Sequence, residues 1–319
     1  MRSNPISVSL IGSGYMANEY AKCLSLDNRF ELSGLLSRNT MKAALFAEKY
    51  RIPVVAKSMK ELYERTESEA LIVTTPELAT LDISLSAFDF PWTTLIEKPV
   101  GIDLEESQII LDESLKTKAK AFVALNRRFY NSTDVAKNIV NKNEVNRVIQ
   151  INDQQDLIAA KHMGQPDRVL ANWMFANSLH IIDYINIFAR GHISEVDTFS
   201  HKVESSLFVH SNLFLSSGDF VSYFCVWNGP GGWSVNIRNN LDEVRLEPLE
   251  KIWTRKFPSR VLEEISVPSY NGLKPGLTSM LNQFYLAIVG QDTLLPNLHA
   301  SNDLMHLVNK IYGGIDVPL

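Results

Sequence analysis

From residue 6 to about residue 124, short apolar runs alternate with stretches of helical period. The runs are ISVSLIG, FELSGLLS, PVVA, EALIVTT, WTTLIEK and KAFVALN. Between them, segments such as NEYAKCLSL, MKAALFAEKY, MKELYER and LEESQIILDESLK carry apolar residues at helical spacing. Nearly continuous apolar strands joined by crossover helices predict a parallel sheet buried on both faces, a doubly wound α/β domain.

After Asn126 the pattern changes. Helical regions are expected over NSTDVAKNIVNK and NWMFANSLHIIDYINIF. From about residue 194 come the strand-like runs EVDTFSHKV, SLFVHSNLFLS, FVSYFCVWN, WSVNIRN and EVRLEPLEKIWTRK, with NGPGG reading as a hairpin turn between two of them. Strands in succession without helices predict a predominantly antiparallel sheet. Two more helices, LTSMLNQFYLAIVG and ASNDLMHLVNKIYGG, close the pattern. The expected organisation is therefore a doubly wound α/β domain over 1–124 and an α+β domain over 125–319.

A chain of 319 residues suits two domains of ordinary size. Its 31 basic against 36 acidic side chains, a formal charge of −5, argue against nucleic acid or an anionic membrane surface and favour a small-molecule partner. Cys23 and Cys225 are far apart and lack metal-ligand spacing, so neither a disulfide framework nor a metal site is expected. The N-terminal apolar run is too short for a signal peptide, and PGLTSMLNQFYLAIVG is too interrupted by polar residues for a membrane span. Cytoplasm is the default expectation.

The first strand runs into Gly12-Ser13-Gly14-Tyr15-Met16-Ala17, a G-x-G-x-x-A loop opening a helix. The first glycine permits the tight turn and the second lets backbone approach a pyrophosphate. The small Ala17 lets helix and strand pack closely, leaving the helix N-terminus to face negative charge. An NAD-type ribose site would place an acidic residue at the tip of the next strand. Here the tip is Ser37-Arg38, a hydroxyl and a guanidinium that suit a 2′-phosphate, so NADP(H) is favoured and NAD(H) stays open. The fourth strand ends in Thr74-Thr75-Pro76 and the fifth in Glu97-Lys98, at the carboxyl ends where open parallel sheets collect ligands.

The order GSGYMA, TTP, EKPVG, ALNRRF, then a helix containing H-x-x-D, resembles the Gfo/Idh/MocA family of glucose-fructose oxidoreductase and inositol dehydrogenase-like enzymes. The resemblance implies that Lys98 contacts the substrate hydroxyl and the nicotinamide region, with Glu97 beside it. It also implies that Asn126 and Arg127 line the site and that His180 is the acid/base. Family members usually carry an aspartate four residues before the histidine; here that position is Ala176. Asn177 lies about 100° further round an α-helix and is no simple replacement. Asp183, three residues beyond His180, is near enough in a helix to orient the imidazole. Trp173 and Asn177 are further substrate-side candidates, chosen for their nearness to these segments.

The leading expectation is an NAD(P)-dependent dehydrogenase or reductase acting on CH-OH groups of a sugar, a polyol or a sugar nucleotide. The alternatives are a regulatory dinucleotide-binding protein that has lost the chemistry, for which Ala176 argues, and a reductase of double bonds or imines. The resemblance also implies a homodimer or homotetramer formed through the C-terminal sheet.

Overall fold

The computed structural model describes residues 4–315 and 317–318. Its first elements are β1 (Ile6–Ile11), α1 (Tyr15–Ser25), β2 (Phe30–Leu36), α2 (Thr40–Tyr50), β3 (Val54–Ala56), α3 (Met59–Thr66), β4 (Ala70–Val73), α4 (Thr80–Ala87), β5 (Thr93–Glu97), α5 (Leu104–Thr117) and β6 (Lys120–Ala124). The six strands pair in parallel in the order β3-β2-β1-β4-β5-β6. Chain order reverses beside β1, which makes the ends of β1 and β4 the switch point of the sheet. All four residues of β4 are buried, as are five of the six in β1, as expected for strands covered on both faces. All six strands lie where the apolar runs place them.

The next elements are α6 (Asn131–Val140), β7 (Val148–Gln155), α7 (Leu157–His162), α8 (Asp167–Ala171), a π-helical turn (Met174–Ser178) and α9 (Leu179–Phe188). There follow β8 (Ile193–Val203), β9 (Ser206–Leu215), β10 (Phe220–Trp227), β11 (Ser234–Arg238), β12 (Asp242–Leu246), β13 (Ile252–Lys256) and β14 (Glu263–Ile265), then α10 (Leu277–Ile288) and α11 (Leu298–Tyr312). The second sheet has the order β14-β13-β12-β11-β7-β10-β9-β8 and is antiparallel except where β7 runs parallel to β10.

Two expectations about this half need correction. The segment VIQINDQQ is a central strand, although its polar residues give it no apolar run: Gln150 and Asn152 face the open side, while Asp153 and Gln155 are buried polar groups. Because β7 inserts between β10 and β11, NGPGG does not turn a hairpin. It bridges two strands that pair on opposite sides of β7.

The chain divides into two compact units, residues up to 126 with 270–303, and residues 127–269 with those from 304 onward. This differs from a single cut at 124/125, because α10 packs with the first unit. Arg29 donates to Asn282 at 2.8 Å and stacks over Tyr285 at 4.7 Å, and Val123 N–H donates to the Pro296 carbonyl at 2.8 Å. In the second unit, one sheet face buries Ile149, Ile151, Val209, Leu213, Val221 and Tyr223. Tyr312 of α11 covers that face, meeting Tyr223 hydroxyl to hydroxyl at 2.6 Å. The opposite face leaves Phe199, Phe214 and Phe224 exposed.

Candidate functional site

Gly12 sits at φ +104°, and a Cβ there would lie 2.8 Å from the Thr74 carbonyl oxygen and 2.6 Å from Thr74 Oγ1. Thr74 cannot give way easily, since its N–H and its hydroxyl both donate to the Ile11 carbonyl, at 2.9 and 2.8 Å. Gly14 is the opposite case. It has an ordinary φ of −87° at the N-cap of α1, and a Cβ there would meet nothing within 4 Å. No side chain caps this helix and no acidic residue stands in its first turn, so its N-terminal N–H groups and dipole are available to an anion. Ala17 is fully buried, as close packing of helix on sheet requires. Tyr15 is exposed with the Lys274 ammonium 5.2 Å from its ring, and Met16 is half-buried.

At the tip of β2, Ser37 Oγ lies 2.9 Å from Ser13 Oγ, which ties the tip to the glycine loop. Arg38 is exposed, and Asn39 is occupied in capping α2 by accepting from Lys42 N–H at 2.9 Å. At the end of β4, Pro76 is exposed, while Thr75 Oγ1 is buried without a hydrogen-bond partner among the described residues. A buried hydroxyl left this way is costly unless something completes it. The Gly14 opening, the uncapped helix and this hydroxyl fit a bound dinucleotide.

Glu97 ends β5 and accepts from the Tyr20 hydroxyl at 2.7 Å, which locks the strand end to the buried face of α1. Burial pushes the Glu97 carboxyl above its usual range, against the Tyr20 hydrogen bond and the nearby charges of Lys98 and Lys274. Lys98 follows, half-buried. Asn126 is buried and donates to the Pro275 carbonyl at 3.0 Å.

The second unit gathers its candidates at the carboxyl end of β7. Gln155 is fully buried, and its Oε1 accepts from Trp173 Nε1 at 2.8 Å and from Asn177 Nδ2 at 2.7 Å. Its amide nitrogen donates to Asp153 Oδ1 at 2.5 Å, and Asp153 Oδ2 accepts from Tyr223 at 2.7 Å. Burial pushes the Asp153 carboxyl up, opposed by those hydrogen bonds. One residue earlier on the strand, the Gln154 carbonyl accepts from Trp233 Nε1 at 3.0 Å, and the Gln154 side chain donates to the Gly229 carbonyl at 3.0 Å. The NGPGG segment thus closes over the end of β7.

His180 is buried in the first turn of α9, and the turn before it is not α-helical. Leu179 N–H bonds to the Met174 carbonyl five residues back, so the π turn holds an extra residue. The expected α-helical register between position 176 and His180 therefore does not hold. Ala176 is buried, and the polar side chains of this turn belong to Asn177, which donates to Gln155, and to the buried Ser178.

Asp183 has a partner that was not foreseen. Arg128 donates to both its carboxylate oxygens, each at 2.5 Å, and this holds the guanidinium above its ordinary pKa even though burial works to lower it. Arg127, the neighbouring arginine, instead stacks its guanidinium 3.9 Å from the Trp233 ring centroid.

The first unit is by its geometry a dinucleotide-binding fold. Residues 6–125 match the model of the Gfo/Idh/MocA oxidoreductase family with an NAD-binding Rossmann fold. It is 28% identical over 145 residues to glucose-6-phosphate 3-dehydrogenase of Bacillus subtilis strain 168, a match spanning 45% of this chain and only 40% of that relative. Among solved structures, a dehydrogenase from Chromobacterium violaceum superposes with a TM-score of 0.83 at 17% identity, covering 97% of this chain and 95% of the other. UDP-N-acetylglucosamine 3-dehydrogenase from Acidithiobacillus ferrooxidans gives 0.77 at 13%, covering 96% of both. Levoglucosan dehydrogenase in complex with NADH and L-sorbose gives 0.82 at 14%, covering 99% of both.

Sequence reasoning overlooked Gln155, Asp153 and the contact role of Trp233. The available signal was VIQINDQQ itself, which alternates with a period of two once its polar residues are accepted as strand residues. Among the described residues no helix is long and apolar enough to cross a membrane.

Proposed function

We propose that this protein is an NADP(H)-dependent oxidoreductase that moves a hydride to or from the hydroxyl or carbonyl carbon of a sugar, polyol or sugar nucleotide. The observation that carries the reading is the contrast within the glycine loop: Gly12 is required by its neighbours, whereas Gly14 faces open space beside an uncapped helix N-terminus. The preference for NADP(H) rests on Ser37 and the exposed Arg38, which supply a hydroxyl and a free guanidinium where an NAD site would place a carboxylate. The relatives act on carbohydrates by name, which supports the substrate class.

The bound nicotinamide supplies or accepts the hydride. Lys98 polarises the reacting oxygen, because its ammonium stabilises charge developing there. Glu97, tied to Tyr20, fixes the strand end that presents Lys98. His180 gives or takes the proton, and Asp183, anchored by Arg128, steadies the helix that carries it. Asn126, Trp173 and Asn177 orient the substrate. A second reading, a dinucleotide-binding regulatory protein without turnover, is favoured by the apolar, buried Ala176.

The test is a fluorescence titration with NADPH and with NADH, followed by turnover on a sugar and sugar-nucleotide panel. NADPH is expected to bind more tightly, and Arg38→Ala to lose that preference. Lys98→Ala should abolish turnover while still binding nucleotide; full activity in that variant would refute the mechanism, and nucleotide binding without turnover of any substrate would favour the regulatory reading. The exposed aromatics Phe199, Phe214 and Phe224 on the open sheet face also lead us to propose a homo-oligomer there, in a cytoplasmic enzyme. Light scattering on Phe214→Glu should show dissociation.

A further inference from the structure

Two adjacent arginines of the second unit meet opposite fates. Arg128 is satisfied, with both carboxylate oxygens of Asp183 on its fork. Arg127 makes no side-chain hydrogen bond or ion pair with any described residue, and its Nη1 is buried without a partner. The side chain is half-buried, and the Nη1 that it takes out of water finds no acceptor, which for a charged donor costs more than for a neutral one. What holds the side chain is the Trp233 ring, whose centroid lies 3.9 Å from the guanidinium carbon. The platform itself is built: Trp233 Nε1 is fixed on the Gln154 carbonyl, and the Arg127 carbonyl accepts from Thr133 Oγ1 at 3.1 Å.

The position of this pair gives it a use. Trp233 is fixed on Gln154, one residue before the Gln155 that holds Trp173 and Asn177, and Asn177 lies three residues before His180. A planar cation with unused donors, stacked on an aromatic ring, is suited to the paired oxygens of a phosphate or a carboxylate.

We propose that Arg127 and Trp233 form an anion subsite, so that the substrate is a sugar bearing a phosphate, diphosphate or carboxylate group rather than a neutral sugar or polyol. This rests on the oxidoreductase reading only for calling the ligand a substrate. The subsite itself rests on the unpartnered Nη1 and on the Trp233 ring that holds the guanidinium.

The experiment titrates pyrophosphate by calorimetry into protein saturated with NADPH, so that the glycine loop is already filled. It then compares glucose with glucose 6-phosphate and glucuronate, and N-acetylglucosamine with UDP-N-acetylglucosamine. Wild-type protein should bind pyrophosphate and prefer the anionic member of at least one pair. Arg127→Gln should weaken the anions about tenfold or more. It should leave the melting temperature and NADPH affinity nearly unchanged, since the side chain makes no hydrogen bond that folding needs. Arg127→Lys, which keeps charge but not the planar fork, should fall between, and Trp233→Leu should weaken anions as well. The comparison of glucose 6-phosphate with glucuronate distinguishes phosphate from carboxylate as the group recognised.

Pyrophosphate that fails to bind, or binds wild type and Arg127→Gln equally, overturns the subsite. Failure of NADPH to bind strikes the oxidoreductase reading instead, and the same Arg127 comparison is then made on the protein without nucleotide.

Discussion

Replacing each of two glycines by alanine separates the structural from the ligand-binding part of the loop. At Gly12 an alanine would have to hold φ +104°, a conformation costing an L-residue on the order of 1–2 kcal/mol. Its methyl would also press on the Thr74 carbonyl oxygen at 2.8 Å, and displacing that packed strand end adds about 1–3 kcal/mol. Together these predict a loss of about 2–5 kcal/mol, or a fall in melting temperature of about 4–20 °C for a unit of this size. At Gly14 the φ is ordinary and the space is open, so the poorer capping by alanine, about 0.5–1 kcal/mol, is roughly offset by the reduced entropy of the unfolded chain. Gly14→Ala should therefore melt close to wild type. Its NADPH dissociation constant should rise at least about tenfold, because the methyl occupies the approach of the pyrophosphate. Thermal melts and NADPH fluorescence titrations on both variants measure this. A Gly14→Ala protein that binds NADPH like wild type would show that the loop is not where the nucleotide sits; a Gly12→Ala protein with unaltered melting would contradict the packing argument.

Two other outcomes follow from the buried polar groups of the second unit. Asp183→Leu leaves the Arg128 guanidinium without its carboxylate and should cost about 3–5 kcal/mol, as should Arg128→Met, whereas the double variant recovers a large part. Additive losses in chemical denaturation would show that the pair is not coupled. Asp153 has its folded-state pKa raised by burial, whereas in the unfolded chain it titrates near the ordinary value of about 3.9. Between those two values the native state binds more protons, so this group's contribution to stability is full below the unfolded pKa and declines as pH rises through the folded one. Asp153→Asn should flatten that decline. Urea midpoints followed from pH 4 upward that keep the wild-type slope in the variant would rule out Asp153 as its source.

Much of the first unit could be read directly. Six apolar runs become six strands, and the glycine loop falls at the switch point, because burial on both faces leaves a local and continuous signal. The glycine loop was legible where it depends on backbone: Gly12 holds a positive φ against Thr74, Gly14 leaves open space, and Ala17 is fully buried. The second unit was less open to such reading. A strand whose buried face carries Asp153 and Gln155 has no apolar run to betray it, and without β7 the NGPGG segment can only look like a hairpin.

By itself the sequence determined the alternation of strand and helix, the chemistry available at each strand end and the absence of a carboxylate at the tip of β2, since these are properties of residues close along the chain. Only the tertiary structure decided that α10 packs with the first unit, that a π turn alters the register before His180, and that Arg128 finds a carboxylate while Arg127 finds a ring. The two arginines are adjacent and chemically identical. What separates them is the arrival of Asp183 and Trp233, 55 residues and more than a hundred residues further along, and pairing over such distances leaves no local trace.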